Sequence, residues 1–333
     1  MSTITLEEFE SRYPDLPQTQ TQTKPAPRKF GNMQLDWREL WEAPPEPMDF
    51  VLSGFLLGTV GALIAPGGAG KSFWALEAAV YLSTLCKHNL MGLHAEKGGR
   101  VVLLSLEDPQ VVTKTRAYKI THSLTPELRD LISENLDIVD LFGCESDLMD
   151  DEFFSNAIEY CAGARLVIID TLSRAHRLDE NKNGEMSQLM SRMDSMAQKT
   201  GATVLFIHHI SKSSNKEGAG NKATASRGAS VLVDNARWVG FLQQMTKEDK
   251  SSVPENERWR YVKWGVSKIN YGLPIPDSWL EKSDGGVLKL SVINEVNRGF
   301  NDEAGEGIDD FIAQMNANDF PKSQLGDDDE IDF

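Results

Sequence analysis

Between Thr59 and Phe73 the chain reads Thr-Val-Gly-Ala-Leu-Ile-Ala-Pro-Gly-Gly-Ala-Gly-Lys-Ser-Phe, and nothing else in it restricts the fold so tightly. The opening run of small and β-branched apolar residues has the composition of a strand buried on both faces. Glycines at 67, 68 and 70 let main-chain N–H groups turn inward. Gly70-Lys71-Ser72 then leads into an apolar helix beginning Phe73-Trp-Ala-Leu76. Strand, glycine loop and helix in this order make a cradle for phosphate, because orphan amides and the helix N-terminus both attract an anion. Pro66, Gly67, Gly68, Ala69, Gly70, Lys71, Ser72 and Phe73 are the expected lining. Lys71 would reach the β- and γ-phosphates of ATP, and the Ser72 hydroxyl would be a ligand for Mg²⁺. The pattern's usual first glycine is Ala65 here, which requires a negative φ at that position.

The same region from Phe50 to Gly70 is uncharged and about as long as the ~20 residues that cross a bilayer. Its six glycines and Pro66 favour a buried strand and loop instead. An acidic N-terminus without an apolar run predicts no secretory leader, and three scattered cysteines predict neither disulfides nor a metal site, so a cytoplasmic protein is expected. The net charge of −16 is mostly local, since residues 301–333 hold eleven acids against Lys322 and leave −6 for the remainder. A mildly acidic body still binds DNA through basic loops.

Further apolar runs at Arg100–Leu106, Leu166–Ile169, Thr203–Ile207, Trp238–Leu242 and Trp259–Val266 alternate with helical segments, among them Ser72–Lys87 and Gly184–Lys199. This predicts an α/β fold with a mostly parallel twisted sheet flanked by helices. A last hairpin, Trp279–Leu280 with Val287–Val292, turns at Asp284-Gly-Gly286 and supplies C-terminal antiparallel strands. Met186, Leu189, Met190, Met193 and Met196 stand at helical spacing and read as core. Three divisions are expected: a flexible polar arm over 1–39, a core over 40–293, and an acidic disordered tail over 294–333.

Three strands end in groups with chemistry. Leu166-Val-Ile-Ile closes on Asp170, the expected partner of Ser72 at the metal. Val102-Leu-Leu-Ser-Leu closes on Glu107, a candidate to orient the attacking water; Asp108 reads as a turn residue before Pro109. Thr203-Val-Leu-Phe-Ile closes on His208-His209. Without further ligand spacing the pair is no metal site; it either senses the γ-phosphate, His209 being the better candidate, or simply packs.

These blocks together resemble the plasmid RepA-type hexameric replicative helicases, RecA/DnaB-like P-loop ATPases. The resemblance rests on Gly58–Ser72, Glu107-Asp-Pro109, Asp170-Thr-Leu172, His208-His209 with Ser211-Lys212, Ala225-Ser-Arg-Gly-Ala-Ser-Val-Leu-Val-Asp-Asn-Ala-Arg-Trp238, Gly265–Gly272 and Asp284–Lys289. It implies a RecA-like core in a homo-hexameric ring that acts on single-stranded DNA. It also implies Arg237 as a finger reaching a neighbour's γ-phosphate. Lys268 would be an auxiliary cation, since Asn270 stands where DnaB-like relatives carry arginine. The channel loops would be Leu172–Gly184, with Arg174, Arg177 and Lys182, and Ser211–Ala225, with Lys212, Lys216 and Lys222. Both are expected either to hold DNA or to be merely solvated.

Asp327-Asp-Asp-Glu-Ile-Asp-Phe333 closes the chain as either a solubilising tail or a peptide that docks on a replication partner, a polymerase, primase or initiator. On sequence, then, an unwinding helicase stands beside an ATP-gated recombinase or loader that does not unwind, and beside a nucleotide switch without DNA.

Overall fold

The computed structural model describes residues 35–209, 227–247, 249, 251–283 and 285–293, with backbone alone for 227–230. It divides into two units, 1–47 and 48–333. In the first, Asp36 caps a short helix α1 (Trp37–Glu42), its carboxylate accepting from the N–H groups of Arg38 and Glu39. The second begins with a small antiparallel pair, β1 (Phe50–Leu52) and β2 (Phe55–Leu56).

The sheet of the second unit has nine strands in the order β11-β10-β9-β8-β3-β7-β6-β4-β5. β3 (Val60–Ala65), β4 (Val101–Ser105), β6 (Leu166–Asp170) and most of β7 (Thr203–His209) are buried along their length. Uninterrupted apolar runs settle there because both faces are covered by helices. β5 (Leu136–Asp140) and β8 (Trp238–Gln244) extend the parallel part on either side. β9 (Tyr261–Ile269), β10 (Ser278–Lys282) and β11 (Leu288–Ser291) continue it antiparallel.

Alternate residues of the strands feed two cores. Leu63, Leu103, Ile168, Leu205 and Ile207 pack with helix α2 (Lys71–Ser83) on one face. Val60, Ala62, Val102, Val167 and Val204 pack on the other with Met186, Leu189, Met190, Met193 and Met196. Those last five residues, the predicted stripe, all lie buried on α6 (Asn183–Thr200). Between these elements run α3 (Gln110–Thr121), α4 (Pro126–Asn135) and α5 (Asp151–Cys161), with α7 (Arg227–Asn235) ahead of β8. The predicted fold class is observed.

Local bounds differ for identifiable reasons. α2 stops at Ser83 rather than Lys87 because Leu85 and Cys86 turn left-handed, with φ of 53° and 63°. β9 starts at Tyr261 because a single 3₁₀ turn occupies Arg258–Arg260. β5 is an edge strand of sequence Leu-Asp-Ile-Val-Asp, half-buried and without the continuous apolar run that marks the others.

Candidate functional site

The cradle forms where β3 delivers the chain into α2. Ala65 is still strand and takes no positive φ, as its side chain demands. Gly68 and Gly70 adopt φ of 78° and 106°, a region closed to most side chains. This turn aims the loop's amides inward. The N–H groups of Gly67, Gly68, Gly70, Lys71 and Ser72 meet no acceptor among the described residues. Five such donors, three in the loop and two in the first turn of α2, fit an oligophosphate.

Lys71 is buried. Its Nζ donates to the carbonyls of Ala65 (3.0 Å) and Pro66 (2.9 Å) and to His209 Nδ1 (3.0 Å). Burial pulls the ammonium down to about 8, while the charges of Glu107 and Asp170 hold it up. An ammonium held at neutral carbonyls in this way gains most from an arriving anion.

The companion groups arrive by strand register. Ala65 pairs with His209 across β3 and β7, and Ser105 pairs with Asp170 across β4 and β6. Lys71, His209, Asp170 and Glu107 therefore gather at the carboxyl ends of neighbouring strands, the edge where open α/β sheets bind ligands. Because Nδ1 of His209 accepts from Lys71, its Nε2 carries the proton and donates to Glu107 Oε2 at 3.3 Å. Asp170 is pushed up to about 6 by burial. A hydrogen bond from Ser72 pulls it down, and Glu107 adds to the rise. The Ser72 hydroxyl and the Asp170 carboxylate thus already face each other, a hard-oxygen pair suited to Mg²⁺.

Not every expected residue joins this cluster. His208 is buried beside it, its Nδ1 without a partner among the described residues, and burial lowers its pKa. Asp108, read as a turn residue, is paired with Arg116 at 2.5 Å. Arg116 was not anticipated. It sits 5.6 Å over the Phe73 ring and lowers the pKa of Asp170, and its signal was a cation eight residues after an acid at the start of a helix. Phe73, Val111, Val112, Thr115, Arg116, Lys119 and Gly285 line a cleft of about 290 Å³.

Arg237 and Lys268 lie at the other end of the strands. The Arg237 N–H donates to the carbonyl of Val60, the first residue of β3 (2.8 Å). Five residue steps of strand then lead from Val60 to Ala65, roughly 16 Å. The Arg237 guanidinium is exposed and feels Asp194. Lys268 Nζ donates to the Asp234 carbonyl at 2.6 Å at that same far end. Neither side chain reaches the cradle of its own chain.

In the loop 172–184, Arg174 closes a 3₁₀ turn and is exposed. Arg177 pairs with Glu145 (3.2 Å) and Lys182 with Glu185 (2.9 Å). Lys212, Lys216 and Lys222, and the tail 327–333, fall outside the described residues. No helix among the described residues is long and apolar enough to cross a membrane.

Residues 25–215 match the family model AAA_25, described as an AAA domain. Two solved structures share the fold. One, a solved ATPase domain, aligns with a TM-score of 0.50 at 18% identity, over 73% of this chain and 92% of that one. The other, a DnaB-like replicative helicase described together with its interactions with primase, aligns with a TM-score of 0.51 at 18% identity, over 74% of this chain and 63% of that one. Since the matched segment spans more than half of its length and contains Lys71, Glu107, Asp170 and His209, this chain belongs to the AAA domain family, on a RecA-like fold shared with the ATPase domains of DnaB-like helicases.

Proposed function

We propose that this chain is the subunit of an ATP-dependent DNA helicase. Six copies close a ring, and hydrolysis at each interface draws single-stranded DNA through the channel, parting the duplex in plasmid- or phage-type replication. One observation carries the reading: the cradle with its acids lies at one end of the central strands, and the exposed Arg237 lies about 16 Å away at the other. In this reading each site is completed by the Arg237 of a neighbouring copy.

In this reading the loop amides and Lys71 grip the β- and γ-phosphates. Ser72 and Asp170 would hold Mg²⁺, whose charge offsets that of the phosphates. Glu107 orients the attacking water and takes its proton, with His209 held between Glu107 and Lys71. The neighbour's Arg237 neutralises charge developing on the transferred phosphoryl group, an effect worth roughly 10³–10⁵ in rate. Lys268 assists from the same side. The base lies in the cleft beside Phe73.

Arg174, Arg177 and Lys182, with Lys212, Lys216 and Lys222, track the DNA backbone. Residues 1–39, 40–293 and 294–333 form the arm, core and tail of a cytoplasmic protein. The tail's Asp327–Phe333 docks on a replication partner.

The test combines native mass with ATP, ATPase rate with and without single-stranded DNA, and a forked duplex. Six subunits, DNA-stimulated hydrolysis and a separated fork are expected. ATP-dependent DNA binding with an intact fork would move the chain to the recombinase or loader class. A rate indifferent to DNA would remove DNA from the account.

A further inference from the structure

A second lysine meets the phosphate loop, from outside. The hairpin of β10 and β11 folds back over α2. Its Leu288 N–H donates to Glu77 of that helix at 2.7 Å, and a Cβ on Gly286 would stand 2.6 Å from the Phe73 ring. This brings Lys282, the last residue of β10, against the loop. Its Nζ donates to the Gly68 carbonyl at 3.1 Å and to Gln244 Oε1 at 3.2 Å. A Cβ on Gly70 would lie 3.8 Å from its Cε.

The contact is built. The Gln244 amide nitrogen is itself anchored, its two N–H groups shared among the carbonyls of Arg258 (3.2 Å), Trp259 (2.8 Å) and Tyr261 (3.1 Å). Its oxygen is thereby fixed where Lys282 needs it. Among the described residues no carboxylate pairs with Lys282, and burial alone lowers its pKa. A half-buried ammonium facing two neutral oxygens is unfavourable unless a negative charge arrives nearby.

Gly68 C=O and Ala69 N–H belong to one trans peptide, so they point in opposite directions. The Ala69 amide makes only a long bond, 3.3 Å, to the Pro66 carbonyl. A cation on the Gly68 oxygen draws electron density from that peptide, makes its N–H a stronger donor and pins the turn from which the free amides of Gly67, Gly68 and Gly70 project.

We propose that Lys282 is a positioning residue of the nucleotide site: from the C-terminal hairpin it braces the Gly68 carbonyl and, by its charge, strengthens the loop's amides toward the phosphates of ATP. This rests on the reading of the loop as an ATP site. Lys282 acts on the loop's backbone through the Gly68 carbonyl, so it serves binding rather than the chemical step.

The experiment compares the full chain with Lys282→Gln, which keeps a donor for Gly68 but no charge, and Lys282→Arg, which keeps both. Lys71→Ala is the control, and melting without nucleotide checks the fold. For Lys282→Gln, KM for ATP should rise about 10-fold, the size of one charge-assisted hydrogen bond, with kcat within about 2-fold. Lys282→Arg should stay near the parent. If Lys282→Gln binds ATP as the parent does, or if the Gln and Arg variants weaken it equally, the proposal is overturned. Should Lys282→Gln fail to fold, Gln244→Leu, which frees the ammonium from its anchor, must raise KM in its place; an unchanged KM there overturns it too. A parent chain with no saturable, Lys71-dependent ATP binding would instead sink the reading of the site itself.

Discussion

The two ends of the central strands carry opposite kinds of electrostatic arrangement. At the carboxyl ends, Lys71, Asp170, Glu107 and His209 are crowded together. Burial displaces the pKa of Lys71 downward and of Asp170 upward, and five amides around the loop lack an acceptor among the described residues. At the amino ends, Arg237 is solvent-exposed and Lys268 rests on a main-chain carbonyl. Buried charges that perturb one another mark the end that binds and reacts. An open, always-charged guanidinium marks the end that waits for another molecule. In the proposed ring, half a site at each end of a strand would add up to a whole one between two chains.

Arg237→Ala puts this division of labour under the greatest strain. ATP binding should persist while kcat falls about 10³-fold, and mixing with Lys71→Ala chains should restore part of the turnover, read by steady-state hydrolysis at varied ratios. Rescue that never appears would mean that Arg237 serves its own chain or none. Next in size is His209→Ala at the crowded end. Removing the bridge between Lys71 and Glu107 should lower kcat by roughly 10²-fold, and an unchanged rate would reduce His209 to packing.

A smaller effect probes the electrostatics of that end. Asp170 must be ionised to hold Mg²⁺, and its carboxyl is pushed up to about 6, chiefly by burial. The Mg²⁺ concentration for half-maximal activity should therefore rise about tenfold per pH unit as pH falls below about 6, where the protonated form takes over. A flat Mg²⁺ requirement between pH 5 and 7 would contradict the assignment.

The smallest effect concerns what supports the crowded end from behind. Glu77, buried in α2 and bonded to Leu288 N–H, is raised to about 8 by burial, from 4.5 in the open chain. The folded state then binds the extra proton between those values, so its stability is full at low pH and declines as pH rises from about 4.5 to 8. Glu77→Gln keeps the acceptor and removes the titration. Its melting temperature should exceed the parent's by several degrees at pH 9 and approach it as pH falls to 5. Equal curves at both would show that Glu77 stays ionised.

Much of this could be read from the chain because the parallel core speaks plainly. Leu166–Asp170 and Thr203–His209 announce themselves as apolar runs ending in a functional group, and the sheet's register does the assembling. The resemblance to RecA/DnaB-like P-loop ATPases is borne out at the level of family and fold. Less visible were contacts made by long side chains across distant elements. Lys282 lies 214 residues from Gly68, and neither periodicity nor spacing links the two. Asp108 with Arg116 was local enough to find, eight residues apart around a helix start. β5 escaped because an edge strand half open to water mixes acids with apolar residues.

β3 is also a mechanical part. It is hydrogen-bonded on both sides, to β7 and β8, and packed above and below, so it can tilt but scarcely bend. The loop hangs from its last residue, and the backbone of Arg237 is tied to its first. If copies assemble as proposed, tightening around one nucleotide would rock this rod and re-aim the guanidinium offered to the next, so that neighbouring sites would fire in turn without any separate messenger.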